Sequence, residues 1–167
     1  MNTKEIIINL QQQGWKNIKT NDSYYNHQFD IIAMRRHLLF VQWFAFIKYI
    51  PTLDEQQLQK ELKIFSEINQ KSKSIWIGKL FVFVIITSKM NQKLASKIKG
   101  DSFPMQINAY YTQSGSSPRM NLFVGRINGG GGNLLVFDEK KKQWYGEIPN
   151  YPLDVKKYSL QMQEIIQ

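Results

Sequence analysis

Leu38-Leu39-Phe40-Val41-Gln42-Trp43-Phe44-Ala45-Phe46-Ile47-Lys48-Tyr49 runs almost wholly apolar, interrupted only by Gln42 before Lys48. Aromatic and branched residues fill it, and it is shorter than the ~20 residues a membrane helix needs. A strand apolar on both faces belongs in the middle of a covered sheet. Leu80 to Thr87 has the same character. Between the two, Pro51-Thr52-Leu53-Asp54-Glu55 opens a helix, with Thr52 as its cap, Glu55 completing a capping box and acids in the first turn. Leu58, Leu62 and Phe65 follow at helical spacing, which predicts a helix to about Gln70. A strand–helix–strand unit crosses over right-handed, so the strands from 38 and from 80 are expected to be parallel.

Toward the N-terminus, residues 3–13 read as a helix capped by Asn2, with Glu5 three positions later and Ile6, Ile7 and Leu10 as its apolar stripe. Gly14 is placed to end it. Trp15 to Thr20 reads as a strand, Asn21-Asp22-Ser23 as a turn and His27 to Met34 as the next strand. On that strand Asp30 shares a face with Ile32 and Met34. Arg35-Arg36-His37 is read as a tight turn into the apolar run. Residues 71–79 form a basic connector, and Asn91 to Ile98 a short basic helix closed by Gly100. Further on, Met105 to Gln113 and Met120 to Val124 read as strands and Asn128 to Asn133 as a glycine-rich loop. Leu134 to Asp138 and Gln143 to Ile148 read as a hairpin around Glu139-Lys140-Lys141-Lys142, and Pro152 to Ile166 as a terminal helix. The fold class is therefore α/β. An αβββαβ core with a mixed sheet flanked by helices is expected over residues 1–100. A β-rich extension with a C-terminal helix is expected over 101–167, packed on the same domain.

The 167 residues carry a formal charge of +9, which favours an anionic partner. The absence of cysteine excludes disulfides, thiol catalysis and zinc–thiolate sites. His27 and His37 are too few for a histidine metal cage. Met1-Asn2-Thr3-Lys4-Glu5 lacks the basic and apolar segments of a signal peptide, and no stretch is long enough to span a membrane, so a cytoplasmic location is expected.

Phe29-Asp30-Ile31-Ile32-Ala33, followed by Leu39-Phe40-Val41-Gln42-Trp43-Phe44, carries a family resemblance. Together with the element order over residues 3–87, it resembles the restriction-endonuclease-like superfamily, the PD-(D/E)xK nucleases. The nearest variant is the Mrr-type and resolvase-like pattern, in which Val-Gln-x-Lys replaces acid-x-Lys. The resemblance implies metal-dependent phosphodiester hydrolysis with Mg²⁺ as the cofactor. It places Asp30 and Gln42 as metal ligands and Phe44 where the catalytic lysine would stand, so the site reads as degenerate. Glu5 matches a first-helix acid of some members, although its spacing from Asn2 also suits a capping role. Lys48 shares parity with Gln42 but lies six residues, ~20 Å, further along the strand. Lys63 is the better-placed substitute cation and Glu61 a substitute acid, although both also suit a solvated helix face.

From Lys71 to Lys99 the chain holds Lys71, Lys73, Lys79, Lys89, Lys93, Lys97 and Lys99 without one acid, and Trp76 lies among them. With Arg35 and Arg36, this block suits a phosphate backbone, DNA before RNA. No base-reading motif accompanies it. The expected function is nucleic-acid binding on a restriction-endonuclease-like scaffold without catalysis. The alternatives are a Mg²⁺-dependent endonuclease with rearranged residues (Asp30, a helix acid and Lys63) and an interaction protein that pairs as a homodimer through its aromatic load.

Overall fold

A computed structural model of the chain describes residues 2–38, 41–72, 78–99, 132–146 and 153–166. Helix α1 (Thr3–Gln12) begins at Asn2, whose side chain accepts from the Lys4 backbone N–H. It ends at Gly14, which has φ +81, and the Trp15 N–H reaches back to the Leu10 carbonyl at 2.9 Å. That left-handed closure is the one glycine supplies most readily.

Strands β1 (Lys16–Tyr24), β2 (His27–Leu38) and β3 (Val41–Tyr49) form an antiparallel meander. The β1–β2 turn falls at Tyr25 and Asn26, both with positive φ, rather than at the predicted Asn21–Ser23. Two consecutive left-handed residues make the turn whose twist matches paired strands. Asn21 (φ 50) and Asn17 (φ 49) take the same conformation inside β1, and the β1–β2 register slips between Lys16 and Lys19. Arg35-Arg36-His37 is strand rather than the predicted turn, because β2 runs on to Leu38.

The short strand β4 (Thr52–Leu53) precedes helix α2 (Glu55–Lys71). The cap of α2 is Asp54, which accepts from the Gln57 N–H at 2.7 Å; the predicted cap, Thr52, lies in β4. Strand β5 (Gly78–Thr87) pairs parallel to β3 along its length, as the crossover requires. Strand β6 (Lys89–Met90) pairs with β4 and ties together the chain leaving β3 and β5. Helix α3 (Gln92–Lys99) follows. Strand β7 (Gly132–Asp138) pairs parallel to β5, strand β8 (Gln143–Tyr145) returns antiparallel to β7, and helix α4 (Leu153–Ile166) ends the described chain. Among the described residues the main sheet is thus mixed and six-stranded, in the order β1-β2-β3-β5-β7-β8. The strands predicted at 105–113 and 120–124 lie outside the described residues.

Alternation along β3 and β5 divides the core into two layers. Val41, Trp43, Ala45 and Ile47 pack with α1 (Ile6, Leu10) and α4 (Tyr158, Met162, Ile165) on one face. Phe44, Phe46, Phe81 and Phe83 pack with α2 (Leu58, Phe65, Ile68) and α3 (Leu94, Ile98) on the other. Phe46 is fully buried and meets Tyr24, Phe29, Phe44 and Phe81 at ring-centroid distances of 5.1, 4.7, 6.1 and 5.7 Å. Among the described residues, no helix is long and apolar enough to cross a membrane. Phe46→Ala is expected to lower unfolding free energy by about 3–5 kcal/mol, measured by denaturant titration; a loss under ~1 kcal/mol would show that this ring is not central to the α2-side core.

Candidate functional site

The β2–β3 register decides which residue stands opposite Asp30. Ile31 pairs with Ile47 and Ile32 with Phe46, so the next step brings Asp30 level with Lys48. Phe46 and Lys48 face α2, but along β2 the alternation breaks at Asp30: Phe29 and Ile32 both pack in the core under α2, whereas Ile31 packs on the other face. The β2–β3 ladder stops at Ile31 and Ile47, and the Asp30 carboxylate takes the donor left open. Tyr49 N–H donates to Asp30 Oδ2 at 2.7 Å. No described residue donates to Asp30 Oδ1.

Helix α2 supplies the partner of Lys48. Lys48 Nζ lies 2.9 Å from both oxygens of Glu61. Glu61 is fully buried, whereas the Lys48 side chain keeps 21% exposure. One turn earlier, Gln57 Nε2 donates to Glu61 Oε1 at 2.8 Å. Lys48 Nζ also stands 5.9 Å from the Phe29 ring centroid. A buried carboxylate without a cation would carry a desolvation penalty of several kcal/mol, and Lys48 offsets it. On the other side of β3, burial pushes the Tyr49 phenol above its ordinary pKa. The Thr3 hydroxyl opposes this in part without a well-formed hydrogen bond, and the Asp30 carboxylate adds to it.

The remaining sequence-derived residues fall elsewhere. Gln42 pairs with Arg36 on β2 and with Lys79 on β5, six residues or ~20 Å from Lys48. Had the chain turned at Arg36, Asp30 would face Gln42; because β2 continues to Leu38, it comes level with Lys48 instead. The expected Asp30–Gln42 ligand pair is therefore not brought together. Phe44 packs in the aromatic core against Tyr24, Phe46 and Phe81, which accounts for a ring at that position. Glu5 is exposed on α1, the helix that covers the opposite sheet face. Lys63 is exposed and two residues past Glu61, about 200° around the helix, so it points away from Lys48.

Of the basic residues, Arg35 is bound internally. Its guanidinium donates to the Gln13 carbonyl and to Gln161 Oε1, and lies over the Tyr158 ring. Arg36, Lys71, Lys89 and Lys93 are exposed, and Lys79 is half-buried. Lys71 is 3.9 Å from Glu67, which also meets His27 Nε2 at 3.2 Å. Lys73 lies outside the described residues, and Lys97 is placed on α3 by its backbone alone. Sequence spacing pointed to Glu61 as a substitute acid but set Lys48 aside; the signal that would have found it is the position of the β2–β3 connection.

Glu61 offers hard oxygen donors of the kind suited to Mg²⁺, which commonly takes one or two carboxylates and keeps several waters. Lys48 engages both of those oxygens and Gln57 one of them. Among the described residues, no three histidine or acidic side chains converge as a metal cluster. No family model, curated protein or solved structure matches the chain. Glu61→Gln leaves the Lys48 ammonium without its counter-charge and is expected to cost on the order of 3 kcal/mol. Lys48→Met combined with Glu61→Leu should recover most of that loss. Equal unfolding midpoints for wild type and Glu61→Gln would refute the coupling.

Proposed function

We propose that the chain binds nucleic acid and hydrolyses phosphodiester bonds at the end of β3, around Lys48 and Glu61, on a restriction-endonuclease-like scaffold. The observation that carries this reading is the bidentate contact of Lys48 with a buried helix carboxylate. The order α1-β1-β2-β3-β4-α2-β5 over residues 3–87, with β4 only two residues long, is in keeping with it. On this reading Glu61 and Lys48 take the parts of the acid and the lysine absent at 42 and 44.

Glu61 would hold the cation. Bound there, Mg²⁺ would supply an activated water and polarise a phosphoryl oxygen. On the neighbouring strand the Asp30 carboxylate is fixed by the Tyr49 N–H at Oδ2. Lys48 keeps its ammonium beside the scissile phosphate and stabilises the negative charge that grows as water oxygen bonds to phosphorus and the ester oxygen departs. Gln57 holds Glu61 in place through its amide.

A second reading, binding without cleavage, rests on the same geometry, because both Glu61 oxygens are already engaged by Lys48 and one by Gln57. Incubation of supercoiled and branched DNA with Mg²⁺ or Mn²⁺ separates the two. Cleavage is expected, abolished by chelation and reduced at least about a hundredfold by Lys48→Met. Intact binding with no cleavage in either metal selects the second reading. Absence of binding even at low salt removes both.

A further inference from the structure

Gln42, which the register separates from Asp30, has neighbours of its own. Arg36 on β2 pairs with it on one side and Lys79 on β5 on the other, so the three form a row across adjacent strands. Their neutral and aromatic neighbours fix which way they face. Trp43 and Leu80 enter the core under α1 and α4, and Arg35 reaches Tyr158 and Gln161 on α4. Arg36, Gln42 and Lys79 therefore project from the opposite face, two residues beyond the row Met34–Phe44–Phe81. At the spacing of neighbouring strands, Arg36 and Lys79 stand about 10 Å apart with the Gln42 amide between them.

Among the described residues, none of these three side chains takes part in an ion pair or hydrogen bond. Elsewhere on the sheet and on α2, Lys19 is partnered by Asp22, Lys48 by Glu61 and Lys71 by Glu67, whereas the exposed Lys16, Lys60 and Lys63 stand apart from acids among the described residues. Two like charges flanking a neutral donor repel each other and leave five guanidinium donors, three ammonium donors and an amide unspent. An oxyanion placed over Gln42 would satisfy all three at once.

We infer that Arg36, Gln42 and Lys79 form a phosphate-binding row, separate from the Lys48–Glu61 pair. The row lies six residues along β3 from Lys48, ~20 Å, which is about the length of six base steps of duplex. A backbone phosphate held here would fix the strand's register relative to Lys48. The source of the phosphate rests on the nucleic-acid reading above; the row itself does not.

The test uses the full chain and the double variant Arg36→Gln with Lys79→Gln, both checked for folding by thermal melting. Binding of a short labelled duplex is followed in chelator at rising salt, which keeps cleavage out of the measurement. The variant is expected to flatten the slope of log K against log salt by about 2, close to 1 for each lost contact. In parallel, inorganic phosphate is titrated into labelled protein, and amide shifts at 36, 42 and 79 are expected in wild type and absent in the variant. A flattened slope assigns the row to backbone phosphate. Phosphate shifts lost in the variant with no duplex binding in wild type assign it to a free phosphate and refute the nucleic-acid reading alone. An unchanged slope together with phosphate shifts that are absent or persist in the variant overturns the row.

Discussion

Antiparallel strands cannot slide by one residue without turning every side chain to the opposite face. Between β2 and β3 that constraint is enforced from both sides. Ile31 and Ala33 belong to the core under α1 and α4, while Ile32 belongs to the core under α2. The pairing of Ile31 with Ile47 and Ile32 with Phe46 then leaves the neighbouring polar residues no choice of partner. Asp30 comes level with Lys48 at one end of the hairpin, and Arg36 with Gln42 at the other. The crossover through α2 extends the same logic to a third strand, carrying Lys79 beside Gln42 and Glu61 over Lys48. Polar chemistry at both ends of the sheet is a by-product of how its apolar middle packs.

The ion pair between Lys48 and Glu61 has a dual character. Its stabilising value is small, because apolar residues of similar volume would fill the space about as well. Its sensitivity to loss of one partner is large, since the survivor is left charged with a buried neighbourhood. A pair of this kind is poor cement but a good sensor. Anything that draws Glu61 or Lys48 away must offer comparable charge in return.

Much of the architecture was legible because its signals are local. The double-sided apolar run of β3, the periodicity of α2, the glycine that ends α1 and the parallel crossover to β5 each follow from a short stretch of sequence. The errors share one cause: turn chemistry was judged from residue type. Arg35-Arg36-His37 looked like a turn between apolar strands, yet Arg35 is held inside by Gln13, Gln161 and Tyr158, contacts with partners at the two ends of the chain. Leu39 and Phe40, which follow β2, carry none of the usual turn residues. Moving that one boundary changes the residue level with Asp30 from Gln42 to Lys48. Glu61 was recognisable as an acid but its pairing was not, because its partner comes from a strand thirteen residues earlier and a different layer.

The left-handed residues in β1 acquire a meaning at the level of many molecules. β1 has nine residues and, among the described residues, is an outer strand with no neighbour on one side. A flat strand of that length would offer its free N–H and C=O groups to any passing chain and seed ordered aggregates. Asn17 and Asn21 twist the backbone at two points, and the strand is otherwise polar and lysine-bearing. The irregularities that spoil its pairing pattern make this edge a poorer template for a second chain.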